Sequence, residues 1–248
     1  MDFRQLLREE RRRARETANP VGVSDPAASK EVAADSEFLL HSSLRVWDER
    51  SKTDIEQFRK GPIPGVYYIP QWITQEEEEA VLERVYAVPD SNDIWVQLKH
   101  RRLQMWGGEV KSPFEPKPLP HWLTQISQSL VDAGFFREDK KPNHALINEY
   151  GVGDCILPHE DGPSYFPLVA IISTGAECRV TYEPHRALAG NNQLESSNSD
   201  IVQNSSFQLE RRSLLLFTGE AYTRYLHSID NVEVGTRVSL TIRRVDLR

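Results

Sequence analysis

Cysteine is scarce in this chain, and long apolar runs are missing. Only two cysteines, Cys155 and Cys178, occur in 248 residues, so a disulfide framework is not expected and both read as ordinary buried thiols. No apolar run approaches the roughly 18 residues that a membrane-spanning helix needs. The N-terminus opens on charged residues, which does not fit a secretory signal peptide. These absences predict an intracellular protein of the cytoplasm and nucleus with no membrane partner.

An excess of positive charge is also missing. The 30 Lys and Arg residues are outnumbered by 37 Asp and Glu residues, which gives a net charge of −7 and a pI near 5.6. A broad electrostatic grip on nucleic acid is therefore not expected, although a local basic patch is still compatible with these numbers. The hydrophobic fraction of 39% suits a soluble globular protein, which we expect to be a monomer.

Basic helix formers dominate residues 2–17, where Phe3, Leu6 and Leu7 are the only large apolar side chains. This composition predicts a solvated basic helix whose apolar face is too small to dock firmly. The run from Arg11 to Arg13 fits a nuclear import signal or a nucleic-acid arm. A solvated charge run is the simpler interpretation.

The next residues predict a flexible linker, because residues 18–36 hold prolines and small residues but no aromatics. We therefore expect residues 1–60 to be partly disordered, and removal of residues 1–36 to leave folding intact. The globular domain is expected to span residues 61–248. Its first part, residues 61–144, combines helices, strands and a substrate lid, and residues 145–248 form its core.

Short strands with turn signals between them dominate the chain from Ala145 onward. Eight strands within about a hundred residues predict a mostly β protein with a double-stranded β-helix, or jelly-roll, core and flanking helices. The polar stretch from Ala189 to Asn204 predicts a surface insert. The predicted strands are Ala145–Tyr150, Ile156–Glu160, Leu168–Ser173, Arg179–Glu183, Ser206–Leu209, Ser213–Phe217, Tyr222–His227 and Arg237–Arg244.

Three potential metal ligands stand out in these strands. His159 and Asp161 are two residues apart, so in an extended strand they point to the same side while Glu160 points away. His227 lies far downstream and supplies a third ligand. Two histidines and one carboxylate form the facial triad of non-haem Fe(II) oxygenases, which leaves coordination positions open for a co-substrate and O2.

The last predicted strand carries two arginines on one face. Alternation places Arg237, Ser239, Thr241 and Arg243 on one side, and Val238, Leu240 and Ile242 on the other. Inward-facing arginines are costly unless each has an anionic partner. Their spacing along a strand leaves room for a small dicarboxylate, which the arginine fork binds well.

Together these motifs resemble those of the AlkB-like Fe(II)/2-oxoglutarate dioxygenases over about residues 61–245. In this sequence Ile156 takes a position that is Leu in the family pattern, and Ser239 replaces an Asn. Within the family, the resemblance is greatest to the branch of the sixth animal homologue. The resemblance to this branch rests on residues 101–108, 159–163 and 236–245. The motif residues that carry the resemblance to the family are Asn148, Tyr150, His159, Asp161, His227, Arg237 and Arg243.

The resemblance implies a role for each motif residue. His159, Asp161 and His227 would bind Fe(II), and Asn148, Tyr150, Arg237, Ser239 and Arg243 would hold 2-oxoglutarate. Arg237 would contact the distal carboxylate of 2-oxoglutarate, and Arg243 would lie near the metal end. The implied reaction consumes O2 and 2-oxoglutarate, yields succinate and CO2, and releases an N-methyl group as formaldehyde.

A basic, aromatic stretch from His100 to Trp106 occupies the place where AlkB-like proteins carry a nucleotide-recognition lid. Arg101 and Arg102 could contact phosphates, Gln104 could read a base edge, and Trp106 could stack on a single-stranded or flipped base. On this basis we expect a nucleic-acid substrate. The alternative is a strand and turn in which the tryptophan is core and the arginines pair with acids.

Two other functions stay open at the level of sequence. The acidic pI is compatible with an oxygenase that acts on a protein side chain, because nucleic-acid enzymes usually carry more positive charge. The change to Ser239 is compatible with a jelly-roll module that binds metal without catalysis.

Overall fold

The computed structural model describes residues 39–90, 93–185 and 204–246, together with residues 5, 7–10, 12 and 13. The predicted linker and nearly all of the predicted polar insert lie outside these residues. In chain order the elements are η1 (Ile55–Phe58), β1 (Val66–Ile69), α1 (Gln75–Tyr86), β2 (Trp95–Gln97), β3 (Arg102–Trp106), α2 (His121–Asp132), η2 (Glu138–Lys140), β4 (His144–Tyr150), β5 (Ile156–His159), β6 (Leu168–Gly175), β7 (Cys178–Pro184), β8 (Ser205–Leu209), β9 (Leu214–Thr218), α3 (Gly219–Thr223), β10 (Tyr225–Ile229) and β11 (Arg237–Arg243).

The strands form two antiparallel sheets. The large sheet has seven strands in the order β1-β9-β6-β11-β4-β3-β2, and the small sheet has four in the order β5-β10-β7-β8. The last eight strands are divided equally between the two sheets, with β4, β6, β9 and β11 in the large one. This is the predicted jelly-roll core. One predicted strand begins too early, because Tyr222 lies in the short helix α3 and β10 begins at Tyr225.

The large sheet has two buried faces with different partners. One face packs against the helices, and its cluster includes Val238, Leu240 and Ile242 of β11. The other face looks toward the small sheet, and its cluster includes Tyr150 of β4 and Tyr182 of β7. The alternation predicted for β11 is therefore confirmed, because its apolar residues face the helices.

Two helices of 12 residues cover the outer face of the large sheet. Helix α1 begins with a capping box in which the Thr74 side chain accepts from the Glu77 backbone N–H, while the Glu77 side chain accepts from the Thr74 backbone N–H. The apolar side chains of Val81 and Val85 then face the core. Among the described residues, no helix combines the length and the apolar character needed to cross a membrane.

The domain begins earlier than the sequence predicted. Leu39 and Leu44 are buried in the helix-side cluster, so the boundary expected near Gly61 is too late. The described residues between 5 and 13 are helical, as predicted. However, Leu7 and Glu10 are buried rather than solvated, because Leu7 packs into the cluster between the sheets. The prediction of a solvated helix is therefore wrong for these two residues, and the effect of removing residues 1–36 stays a prediction.

Candidate metal and co-substrate site

Strands β5 and β10 bring the three predicted metal ligands together. His159 at the end of β5 is the register partner of His227 in β10, and their ring centroids lie 4.3 Å apart. Asp161 follows two residues after His159. The potential ligand atoms of all three residues lie within 4.8 Å of one another, and all three residues are buried. Residues far apart in sequence thus converge because the two strands pair in antiparallel register.

Burial keeps the two histidines in the neutral form that binds metals. Burial lowers the pKa of His159 well below its usual value, and the neighbouring His227 lowers it further. Burial also lowers the pKa of His227, although the charge of Asp161 opposes this shift. The Nδ1–H group of His159 donates to the Leu157 carbonyl oxygen at 2.9 Å, which fixes the tautomer in which Nε2 can serve as the ligand atom.

Asp161 has one carboxylate oxygen engaged and one unpaired. Its Oδ1 atom accepts a hydrogen bond from Nη1 of the buried Arg243. Its Oδ2 atom is buried and has no hydrogen-bond partner among the described residues. An unpaired buried carboxylate oxygen is costly. A cation shared with two neutral imidazoles would satisfy it, so these residues fit a divalent metal of the facial-triad type.

A pocket between the two sheets contains this cluster. Isoleucine, leucine and valine side chains make up much of its wall, so a ligand held there is partly shielded from water. All eight residues predicted to bind metal or co-substrate line it. The lining residues are Leu146, Asn148, Tyr150, Ile156, His159, Asp161, Ile171, Val180, His227, Ile229, Arg237, Ser239, Thr241 and Arg243.

Arg237 lies in the pocket wall with two guanidinium nitrogens that have no hydrogen-bond partner among the described residues. The residue is 0% exposed, and its Nη2 atom donates to the Ser173 hydroxyl oxygen at 3.1 Å. Its guanidinium carbon lies 5.4 Å from the centre of the Tyr150 ring. The Nε and Nη1 atoms are buried without a hydrogen-bond partner among the described residues. A buried cation with two unpaired donors fits the carboxylate of a ligand.

Three aromatic residues near Arg243 were not among the predicted site residues. The Arg243 guanidinium lies 4.1 Å from the centre of the Tyr165 ring, and Tyr222 donates to the Gly162 carbonyl oxygen. His144 pairs with Arg243 in the β4–β11 register, and burial together with the Arg243 charge lowers its pKa to about 3. No local motif marks these positions, because all three lie far from Arg243 in sequence. His144 meets it through β4–β11 pairing, Tyr165 is bridged to Val245, and Tyr222 lies in α3.

The stretch from His100 to Trp106 differs from the predicted lid. Gln104 is fully buried and donates to the Val85 carbonyl oxygen, and Trp106 belongs to the helix-side core. Arg102 forms ion pairs with Glu149 and Asp90 on that same side of the sheet. The prediction that Gln104 and Trp106 contact substrate is therefore wrong, because strand β3 turns both side chains away from the pocket.

Arg101 is the exception within this stretch. It lies on the same face of the sheet as Leu103, toward the small sheet, and is 1% exposed. Its Nε atom donates to the Asn148 side-chain oxygen at 3.0 Å, next to the pocket. Its other partner is Glu10 of the N-terminal helical residues.

Comparisons with known proteins agree with this geometry. Residues 95–243 match the model of the 2OG-Fe(II) oxygenase superfamily. The chain is 36% identical over 219 residues to the probable RNA/DNA demethylase ALKBH6 of Danio rerio, covering 77% of this chain and 91% of that protein. It is 29% identical over 177 residues to the tRNA (carboxymethyluridine(34)-5-O)-methyltransferase ALKBH8 of Macaca fascicularis, where it covers 67% of this chain but 24% of the relative.

A solved structure shows the same fold. The structure of OsALKBH1 matches with a TM-score of 0.54 at 16% sequence identity, over 73% of this chain and 99% of that chain. The fold, the buried triad and the family match together define an oxidoreductase that uses Fe(II), 2-oxoglutarate and O2. The chain belongs to the 2OG-Fe(II) oxygenase superfamily and, within it, to the AlkB-like proteins.

Proposed function

We propose that this protein is a dioxygenase that removes an N-linked alkyl group from a nucleobase of DNA or RNA. The observation that carries the chemistry is the pocket, in which a buried metal triad lies beside an arginine with unpaired donors. The nucleic-acid substrate is supported by the relative from Danio rerio, whose name describes it as a probable RNA/DNA demethylase.

The metal ligands have complementary tasks. His159 and His227 offer neutral imidazole nitrogens because burial lowers their pKa. Asp161 supplies the only carboxylate of the set through its unpaired Oδ2 atom. Arg243 holds the other carboxylate oxygen and so fixes the direction in which Oδ2 points. These three residues would hold Fe(II), and a set of two histidines and one carboxylate leaves coordination positions for a co-substrate and O2.

The co-substrate would lie between the metal and Arg237. The unpaired Nε and Nη1 atoms of Arg237 suit the distal carboxylate of 2-oxoglutarate. Asn148 and Ser239 are register partners on the pocket face of β4 and β11, and they offer polar contacts along its length. Burial raises the pKa of Tyr150, which keeps its phenol protonated as a hydrogen-bond donor.

Bound Fe(II) would supply the O2 chemistry, in which one oxygen atom enters succinate and the other hydroxylates the N-alkyl carbon. For an N-methyl group, the hydroxymethyl product then loses formaldehyde and leaves the N–H base, while 2-oxoglutarate loses CO2. The apolar side chains of Ile156, Ile171 and Val180 surround this region and limit the access of water. The protein thus contributes ligand geometry and a dry pocket.

An oxygenase that acts on a protein side chain is the second candidate. The net charge of −7 favours it, and so does the burial of Gln104 and Trp106, which removes two of the predicted base contacts. A metal-binding module without catalysis is disfavoured, because Arg237 retains unpaired donors that suit a co-substrate. The monomeric state and the nuclear and cytoplasmic location stay predictions.

The deciding experiment measures formaldehyde release from N-methylated DNA, RNA and histone-type peptides in parallel with succinate formation. We expect equal amounts of formaldehyde and succinate with a single-stranded nucleic acid, and neither product from Asp161→Asn. Coupled release from the peptides alone would reject the nucleic-acid proposal. Succinate without formaldehyde from any of these substrates would also count against N-demethylation.

A further inference from the structure

The N-terminal helical residues 5–13, as far as they are described, pack beside residues that line the pocket. We call them the N-terminal segment. Its Leu7 packs in the cluster between the sheets, together with the pocket residues Tyr150 and Ile156. Its Glu10 is 5% exposed and reaches the guanidinium of Arg101. A segment remote in sequence therefore contacts Arg101, which bonds to the pocket residue Asn148.

The position of this contact follows from the unequal widths of the two sheets. The large sheet continues past β4 to β3 and β2, whereas the small sheet ends at β5. The pocket-side face of β3 therefore extends past the last strand of the small sheet. Arg101 comes directly before β3 and carries its charge on this face, where it bonds to Asn148. Burial raises the pKa of Tyr150, and the Arg101 charge opposes that shift from nearby.

The ion pair between Glu10 and Arg101 leaves the arginine fork incomplete. Both carboxylate oxygens of Glu10 approach the same nitrogen, Nη1, at 2.9 and 2.8 Å. The Nη2 atom of Arg101 is buried and has no hydrogen-bond partner among the described residues. Arginine binds oxyanions best through two parallel N–H donors. Glu10 therefore satisfies Nη1 but leaves Nη2 unpaired. An unpaired buried donor is costly, so an anion that bonds to both nitrogens would be favoured.

We propose that Arg101 binds a backbone phosphate of the nucleic-acid substrate and that Glu10 occupies this site until the substrate arrives. A phosphate presents two oxygens, which can accept from Nη1 and Nη2 together. The exchange is feasible because Leu7 and Glu10 are the only buried side chains among the described residues of the segment. This inference rests on the proposed function, and it adds an anion site that the metal and co-substrate residues do not explain.

Removing the charge of Glu10 tests the exchange directly. The full-length protein, loaded with Mn(II) and 2-oxoglutarate, is titrated into a fluorescent single-stranded oligonucleotide that carries one N-methylated base. We expect Glu10→Gln to tighten oligonucleotide binding by roughly 5-fold or more, within the usual range for coupled sites. The reason is that a neutral amide competes for Arg101 less strongly than a carboxylate does. Leu7→Ser loosens the segment while keeping both charges, and it should shift the affinity in the same direction.

Glu9→Gln is the matched control. Glu9 belongs to the same segment, and its half-exposed side chain lies 3.6 Å from Arg13, which is also in the segment. This variant changes the net charge by the same amount as Glu10→Gln, so any general effect of charge on oligonucleotide binding appears in both. We expect the affinity of Glu9→Gln to equal that of the native protein within error at moderate salt.

A double-mutant cycle assigns the effect to Arg101. Arg101→Gln should weaken oligonucleotide binding. It should also reduce the slope of log affinity against log salt concentration by about one, the value for one lost phosphate contact. In the Arg101→Gln background, Glu10→Gln should give no further gain, because the two residues act as one unit. Circular dichroism melting of each variant establishes that it is folded. A gain from Glu10→Gln that persists without Arg101 would overturn the proposal.

The outcomes separate this inference from the proposed function. Native activity on the oligonucleotide with no gain in Glu10→Gln rejects the inference and leaves the function standing. A gain in oligonucleotide affinity with no formaldehyde release from any variant rejects the function alone. A gain seen with an acidic peptide and not with the oligonucleotide rejects phosphate as the ligand. Weaker 2-oxoglutarate binding in Glu10→Gln, with unchanged oligonucleotide affinity, would also reject the inference. Glu10 would then act through Arg101 to position Asn148 for the co-substrate.

Discussion

Strands β11 and β3 both carry arginines, but the arginines have different surroundings. Arg237 and Arg243 of β11 are buried in the pocket, and Arg237 has two nitrogens without a partner among the described residues. Arg102 of β3 is partly exposed and lies between Glu149 and Asp90. Its guanidinium also lies 4.2 Å from the centre of the Trp95 ring. Arg237 of β11 thus offers unpaired donors to the pocket, whereas the charge of Arg102 on β3 is neutralised by two neighbouring carboxylates.

The partners of an arginine therefore indicate its role better than its position in a motif does. An arginine paired with acids on both sides gains little from a further ligand and mainly holds local structure. A buried arginine with unpaired donors is costly in the free protein, and a bound anion would offset that cost. By this criterion we propose that Arg237 binds a ligand, that Arg102 supports local structure, and that Arg101 is intermediate.

The largest effect is expected at the metal ligand that Arg243 orients. Asp161→Asn keeps the shape of the side chain but removes its charge, so Mn(II) affinity should fall by more than about 100-fold, beyond the usual effect of outer-sphere changes. Fe(II)-dependent succinate formation should disappear. Calorimetry and a succinate assay measure the two effects. Glu160→Gln is the control, because it makes the same change at the adjacent residue, and a similar loss there would break the assignment.

Replacing Arg237 tests the comparison between the two strands. Arg237→Lys keeps the charge but removes the fork, so the dissociation constant for 2-oxoglutarate should rise roughly 10- to 100-fold. Arg102→Lys makes the same change on β3 and should leave this constant unchanged. Both are measured by calorimetry on the Mn(II)-loaded protein. Equal effects of the two substitutions would remove the distinction between β11 and β3.

The third prediction concerns the pH dependence of stability near Arg243. Burial and the Arg243 charge lower the pKa of His144 to about 3 in the folded protein. As pH falls, the unfolded chain binds a proton on His144 near about pH 6.5, well before the folded protein does. The stability contributed by neutral His144 is therefore fully present above about pH 6.5 and is lost as pH falls toward about 3. His144→Gln should flatten this acid limb by up to about 1.4 kcal/mol per pH unit. Urea unfolding across this range measures it, and an unchanged slope would contradict the shift.

The smallest effect is expected at Arg102. Its side chain is 25% exposed, so losing its ion pairs with Glu149 and Asp90 should lower the free energy of unfolding by about 1 kcal/mol. Arg102→Ala should leave 2-oxoglutarate turnover and oligonucleotide affinity unchanged. Urea unfolding and the succinate assay provide the measurements. A loss of oligonucleotide affinity with native stability would return Arg102 to the substrate site.

Local sequence patterns predicted the parts of the fold that depend on alternation. The polar and apolar residues of β11 separate as expected, because this strand has one face toward the pocket and one toward the helices. The spacing of His159 and Asp161 likewise placed two ligands on one side. The family motif correctly brought His227 and Arg237 into the same pocket.

Long-range pairing was beyond the reach of the sequence. The stretch from Arg101 to Trp106 looks like a basic, aromatic recognition loop, but pairing with β4 makes it an inner strand of the large sheet. That pairing buries Gln104 and Trp106. The partner of Arg101 is Glu10, 91 residues away, and no local rule links them. The same reasoning explains why His144 and Tyr165 were missed beside Arg243.

An anaerobic titration of the Fe(II)-loaded protein with 2-oxoglutarate, followed by visible absorption of the metal chelate, tests whether this pocket binds both metal and co-substrate. We expect a saturable absorption change in the native protein and none in Asp161→Asn. Saturation in Arg237→Lys should require a roughly 10- to 100-fold higher concentration, and Arg102→Lys should match the native protein. Native-like saturation in both Asp161→Asn and Arg237→Lys would contradict the assignment of this pocket.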